Sequence, residues 1–227
     1  MGSILRAKGI FKSFPSGGGL LQVLNGIEME VREGEITSVV GASGVGKSTL
    51  LHILGTLDRP NQGEIEIDGE NVLTMKGGRL AQFRNGRLGF VFQFHHLLPE
   101  FSAWENVAIP QLIAGLPLSK AKKRAYELLG QVNLRERSEH SPSQLSGGEQ
   151  QRLAVARALA NQPKLVLADE PSGNLDKASS EELHNLIWEL NRTKGQVFVL
   201  VTHDEELAHK AHRVYRLREG VLTEEKY

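Results

Sequence analysis

The 227 residues carry 27 Lys and Arg against 27 Asp and Glu and contain no cysteine. This balance provides no basic excess to neutralise a polyphosphate backbone, which argues against a nucleic-acid partner, and the lack of thiols excludes disulfides and thiolate metal sites and fits a reducing compartment. The length suits one domain, or one domain with a subdomain, and the longest uncharged run, 106–119, is broken by Pro110, Gly115 and Pro117 and is too short to span a bilayer. The chain therefore reads as soluble, with any membrane role exercised through a partner.

In chain order, the N-terminal segment and "EIEIDGENV" (64–72) alternate in polarity and predict an antiparallel β layer, with "PSGGG" (15–19) as a flexible loop. Three short apolar runs, "ITSVV" (36–40), "LVLA" (165–168) and "VFVLV" (197–201), predict buried parallel strands. Helical periodicity appears in "KSTLLHILGTL" (47–57), "EQQRLAVARALA" (149–160) and "SSEELHNLIWELNR" (179–192). Strands alternating with helices predict an α/β doubly wound sheet whose ligands sit beyond the strands' carboxyl ends. Residues from about 94 to 160 are richer in helix and in proline-marked turns, and predict a helical subdomain within a single domain spanning 1–227.

The chemistry collects where the apolar runs stop. "GASGVGKS" (41–48) fits the phosphate-loop pattern between a predicted strand and a predicted helix. Its glycines let backbone N–H groups close around phosphates, Lys47 reaches the β/γ oxygens, and the Ser48 hydroxyl suits Mg²⁺. Asp169 and Glu170 follow a buried strand at the mouth of the same sheet. A carboxylate pair would ordinarily be a solvated turn, but beside a phosphate loop Asp169 suits Mg²⁺, through water, and Glu170 suits polarising the attacking water.

"LSGGE" (145–149) combines two signals. Ser146 and Glu149 alone make a helix capping box. Gly147 and Gly148 in a first helical turn are a liability of roughly 1 kcal/mol each relative to alanine. They are explained if an anion must approach bare backbone at a helix N-terminus. Since the chain already has one phosphate loop, this second one is expected to serve a triphosphate held by another molecule.

The phosphate loop, "LSGGEQQR", "LVLADEP" and "VTHD" occur in the order found in ABC-type ATPases, and the chain resembles that family over nearly its whole length. The resemblance implies the P-loop ABC-ATPase fold: a mostly parallel sheet core with an antiparallel β layer and a helical subdomain. It also implies a head-to-tail homodimer in the ATP-bound state, with two ATP molecules and Mg²⁺ between phosphate loops and signature segments. Carried over residue by residue, it assigns nucleotide binding to Phe14, to Gly41, Ala42, Ser43, Gly44, Val45, Gly46, Lys47, Ser48 and Thr49, and to Gln93. Ser146, Gly147 and Gly148 become the signature and Asp176 of "GNLD" the D-loop. Metal contacts fall to Ser48, Gln93 and Asp169, and catalysis to Lys47, Glu170 and His203. Phe14 replaces the usual adenine-stacking tyrosine, and Glu149 the usual glutamine.

"QFHHLLPEFSAWENVAIP" (93–110), "LSGGEQQR" and "ADEPSGNLD" (168–176) narrow the resemblance to the ATPases of lipoprotein-releasing transporters, the LolD family. This implies a peripheral protein on the cytoplasmic face of a bacterial inner membrane. MacB-type export ATPases and the cell-division ABC ATPase share "GNLD" and stand as alternatives. A chromosome-structuring ATPase would need a coiled-coil insertion, and the stretch of about fifty residues between Gln93 and the signature holds no heptad array. A module that binds ATP without turnover is disfavoured by Glu170 and His203.

"QFHHLLPEF" (93–101) holds a histidine pair. Adjacent residues on extended backbone point in opposite directions, so His95 and His96 are poorly placed to share one ion. Phe94, Leu97, Leu98 and Phe101 either pack the helical subdomain or form an apolar patch for a partner's helix. The resemblance places docking of integral membrane subunits here.

Overall fold

The computed structural model describes residues 2–225; Met1, Lys226 and Tyr227 of the expected 1–227 domain lie outside the described residues. The chain opens with β1 (Ser3–Ser16) and β2 (Gly19–Arg32), joined at Gly17-Gly18. Ser16 pairs with Gly19, so "PSGGG" closes a hairpin and is not the flexible loop its composition suggests. Two glycines supply the backbone freedom of a tight two-residue connection. With β4 (Gln62–Ile67) and β5 (Glu70–Asn71) these strands form an antiparallel sheet in the order β2-β1-β4-β5.

The second sheet is built on the three apolar runs. β3 (Ile36–Val40), β7 (Leu165–Asp169) and β8 (Val197–Thr202) are buried almost throughout, as strands covered on both faces must be. With β6 (Leu88–Phe92), β9 (Arg213–Arg218) and β10 (Val221–Glu225) the order is β10-β9-β3-β8-β7-β6. All neighbours pair in parallel except the β9–β10 hairpin.

Helices cover both faces. α1 (Lys47–Leu54) packs between the two sheets, in a core that includes Leu5, Ile27, Leu50, Leu54, Val39 and Val199. α2 (Gly77–Arg87) leads into β6. On the opposite face lie α3 (Ala103–Ile113), α4 (Leu118–Gln131), α5 (Gly147–Ala158) and α6 (Lys177–Lys194). Their core joins Val107, Leu129 and Leu153 of the helical segment to Val166, Phe198 and Leu200 of the sheet. The 94–160 segment thus shares its apolar core with the sheet.

Local sequence sets the helix ends. Ser146 with Glu149 and Ser102 with Glu105 close reciprocal capping boxes on α5 and α3. Asp176 caps α6 through the Ser179 N–H, and Gly195 ends that helix at φ +64°, a left-handed cap that glycine adopts without a Cβ penalty. Pro110 lies inside α3 and does not end it. Burial of Ala103, Val107 and Ala108 holds the helix, and the Pro110 carbonyl accepts from the Asn85 and Asn161 amides. Among the described residues no helix is long and apolar enough to cross a membrane.

Candidate nucleotide-binding and hydrolysis site

Strand register assembles the site. Val40 pairs with Thr202, Val201 with Asp169, and Asp169 with Phe92. The residues that follow these strand ends, Gly41, His203, Glu170 and Gln93, are therefore neighbours at the carboxyl end of the parallel strands. Beside them opens a cleft of about 610 Å³ lined by Phe14, Val23, Ser43, Gly44, Gly46, Lys47, Ser48, Thr49, Gln93, Glu170 and His203.

The phosphate loop turns through Gly44 (φ +77°) and Gly46 (φ +108°) before α1 begins. A Cβ on Gly46 would also meet Val23 Cγ1 at 2.7 Å, so residue 46 is glycine for conformation and for space. The buried Lys47 ammonium donates to the Gly41 and Ala42 carbonyls at 2.9 and 3.2 Å, and pairs with Glu170 Oε1 at 3.3 Å. Val45 lies on the same loop and packs against the core below it.

The acidic pair divides. Ser48 Oγ donates to Asp169 Oδ1 at 3.0 Å. Burial pushes the Asp169 carboxyl above its ordinary range, against the opposing effect of the Ser48 hydrogen bond. Glu170 sits at φ +44°, a left-handed conformation costly for a residue with a Cβ, and its N–H donates to Val201 O at 2.9 Å. Glu170 Oε2 lies 2.8 Å from His203 Nδ1 and accepts the His203 N–H at 3.2 Å. Gln93 Nε2 donates to Asn174 Oδ1 at 3.0 Å, an anchor in "GNLD" that sequence reasoning did not single out.

Phe14 stands at the cleft's outer wall with the Lys12 ammonium 4.8 Å from its ring centroid. Lys12 is itself nearly buried and bound to Asp58 Oδ2 and Arg59 O, each at 2.7 Å. The ring is thus fixed from one side by a cation.

Ser146, Gly147, Gly148 and Asp176 do not line this cleft. They form a second cluster: a Cβ on Gly147 would lie 3.7 Å from Leu175, and one on Gly148 only 2.9 Å from Ser179, which bonds Asp176. The two glycines accordingly differ. Gly148 lets α5 approach α6, a packing reason apart from any anion, whereas Gly147 stays exposed with room above it.

In the segment after β6, His95 is half-buried and His96 exposed, with the His96 ring edge-on to Phe92. Among the described residues no group of three or more His, Cys, Asp or Glu side chains gathers to hold a metal. Leu97 packs on the helical core, while Phe94, Leu98 and Phe101 are 68, 39 and 40 % exposed.

A phosphate loop between parallel strand and helix, an acidic strand end, a histidine on the adjacent strand and a capped glycine helix start in a helical segment define a cassette-type P-loop ATPase. The family model described as "ABC transporter" matches residues 24–173, and the chain belongs to that family. It is 54% identical to a Porphyromonas gingivalis protein named "Lipoprotein-releasing system ATP-binding protein LolD", over 98% of this chain and 100% of that one. A Bacteroides fragilis protein of the same name is 55% identical over 96% of this chain and 99% of its own length. Among solved structures, the dimeric structure of MJ0796, a bacterial ABC transporter cassette, superposes with a TM-score of 0.90 at 38% identity, covering 98% of each chain. A second dimeric structure of MJ0796, in a post-hydrolysis state bound to ADP and Pi, matches equally well.

Proposed function

We propose that this chain hydrolyses ATP as one half of a head-to-tail pair and thereby drives a lipoprotein-releasing transporter at the cytoplasmic face of a bacterial inner membrane. The observation that carries the paired reading is the separation within one chain of the phosphate-loop cleft from the signature cluster of residues 146–148 and Asp176. The signature residues are absent from the lining of the chain's own cleft, and in this reading the exposed Gly147 turn of one copy covers the nucleotide of the other. The dimeric cassettes of similar fold and the names of the relatives support this reading.

Within the cleft the loop N–H groups of residues 43 to 49 and Lys47 hold the phosphates, and the Phe14 ring stacks on adenine. Glu170 accepts the proton of the attacking water. His203, bonded to Glu170, orients that carboxylate and faces the terminal phosphate.

The donor set fits Mg²⁺: one hydroxyl, one partly buried carboxylate whose desolvation cost a cation would offset, and the Gln93 amide nearby. Few protein ligands are what this ion needs, since substrate phosphates and water complete its shell. When bound, the ion neutralises charge developing on the phosphates. Ser48, Asp169 and Gln93 are the residues that would hold it.

The exposed Phe94, Leu98 and Phe101 suit the apolar face of a helix from a membrane subunit. The test is reconstitution. The tagged chain is captured with its membrane subunits from the native host and placed in proteoliposomes carrying an acylated lipoprotein. ATP-dependent transfer of that lipoprotein to a soluble acceptor is expected; a complex that hydrolyses ATP but leaves the lipoprotein in the bilayer defeats the assignment.

A further inference from the structure

The uncharged run 106–119, too short to cross a bilayer, comes to the surface in its second half. There it forms the turn between α3 and α4, and every residue from 112 to 120 is exposed. Leu112, Ile113, Leu116 and Leu118 are 38, 72, 40 and 57 % exposed. The turn is ordered by its own backbone: Gly115 takes φ +88° and donates to the Leu112 carbonyl at 2.9 Å, and the Leu116 N–H donates to the Gln111 carbonyl at 3.0 Å. Four large apolar side chains left in water on one fixed turn mark an interaction surface.

The charge beside them has one sign. No acidic residue stands between Glu105 and Glu127, whereas Lys120, Lys122, Lys123 and Arg124 follow the apolar turn, in a chain whose cations and anions balance overall. Lys122 lies over the Trp104 ring, 4.5 Å from its centroid, and Arg124 pairs with Glu127 at 3.6 Å. Lys120 and Lys123 are exposed, and among the described residues no carboxylate pairs with them. Helix stability does not explain this placement. The first turn of α4 has no acidic residue and no side-chain cap, and a cation there opposes the helix dipole.

An apolar tip flanked by free lysines matches the chemistry of an anionic bilayer surface. Apolar side chains enter the boundary between headgroups and acyl chains, and lysines meet the headgroup phosphates. A partner's helix would be received by a groove, whereas a planar surface receives a projecting turn. Ile113 also lines a cavity of about 400 Å³ with Phe92, so the turn adjoins the segment proposed to meet membrane subunits. We infer that the α3–α4 turn is a lipid-contact site: Ile113, Leu116 and Leu118 insert shallowly into an anionic leaflet, and Lys120 and Lys123 bind its headgroups. This goes beyond the proposed function, in which membrane subunits alone hold the chain.

The test needs neither those subunits nor ATP. The full-length chain is floated with vesicles containing about one part in three phosphatidylglycerol, or with vesicles of phosphatidylcholine alone. It should bind the anionic vesicles at least about ten-fold better, and far less in about 1 M salt, where charges are screened within about 3 Å. Lys120→Gln with Lys123→Gln should weaken binding about ten- to thirty-fold, since each lysine near such a surface contributes roughly five-fold. Leu116→Ser with Leu118→Ser should weaken it at least about ten-fold. ATP affinity and thermal midpoint should be unchanged in both variants. The chain has no cysteine, so a spin label at Ile113→Cys should become shielded from a water-soluble relaxation agent on anionic vesicles, while one at the exposed Ser143→Cys stays accessible. Equal binding to both vesicle types, or none, overturns the inference, as does anionic binding that survives both pairs of substitutions. If the serine pair unfolds, the glutamine pair and the Ile113 label decide. Loss of captured membrane subunits in these variants, with no vesicle binding by the parent, makes the patch a protein contact and also overturns it. Failure here leaves ATP hydrolysis and lipoprotein transfer as separate measurements of the proposed function.

Discussion

Glu170 Oε2 lies 2.8 Å from His203 Nδ1, while Glu170 Oε1 lies 3.3 Å from Lys47 Nζ. One carboxylate thus joins the phosphate loop to the histidine strand end. Glu170→Gln should bind MgATP but lose about 10²- to 10⁴-fold in kcat, the range for removing a general base. ATP-dependent dimers should accumulate and be visible by size-exclusion chromatography. Because the two side chains act as a unit, adding His203→Ala to Glu170→Gln should lower turnover little further. Near-parent hydrolysis by Glu170→Gln would move the base elsewhere.

Asp169 offers a trade between stability and activity. Burial raises its carboxyl above the unfolded value, so ionisation costs the folded state more than the unfolded one. Its contribution to stability is therefore intact below the ordinary carboxylate range and is lost as pH rises through the folded value. Asp169→Asn should raise the thermal midpoint of nucleotide-free protein at neutral pH, with the gain vanishing in acid, and should abolish Mg²⁺-dependent hydrolysis. A lower midpoint at neutral pH would show that the charge is stabilising.

The split between cleft and signature cluster predicts complementation. Gly147→Asp should abolish hydrolysis while leaving ATP binding to the phosphate loop intact. Mixed with Lys47→Ala protein, it forms heterodimers with one intact site and one doubly broken site. Activity returning on mixing means that one site suffices; no activity means that both must act. Full activity of Gly147→Asp by itself rules out the shared site.

Leu98 is accessible, although its backbone N–H and C=O are bonded to the Asn106 side chain. Leu98→Glu should keep the circular dichroism spectrum and ATPase of the isolated chain and lose capture of the membrane subunits. Unfolding would return Leu98 to the core, and undiminished capture would remove it from the interface.

Much of the site was legible because its parts are local. The phosphate loop needs left-handed backbone at Gly44 and Gly46 directly before a helix carrying Lys47 and Ser48, and that requirement is written in the consecutive residues 41–48. The box of Ser146 and Glu149 is equally short-range. What could not be read is long-range. Gln93 meets Asn174 across 81 residues, and Arg157 meets His96 across 61. In sequence Arg157 is only a basic residue in a helix's last turn, where favourable interaction with the helix dipole would explain it. Gly148 reads as bare backbone for an anion until Ser179 is found 2.9 Å from where its Cβ would be.

The amino-acid sequence alone determined the buried strands β3, β7 and β8, the phosphate loop, the capping box of Ser146 and Glu149, and which residue types could hold a triphosphate, because short apolar runs and capping bonds are written within a few consecutive residues. Tertiary structure decided that Gly41, Gln93, Glu170 and His203 gather at the carboxyl end of the parallel strands, that the signature stands outside the cleft there, and that Arg157 of α5 binds the backbone of the histidine segment. Those relations follow from parallel register and from the rotation at which each helix packs on the sheet, and both arise only when distant apolar faces are buried against one another.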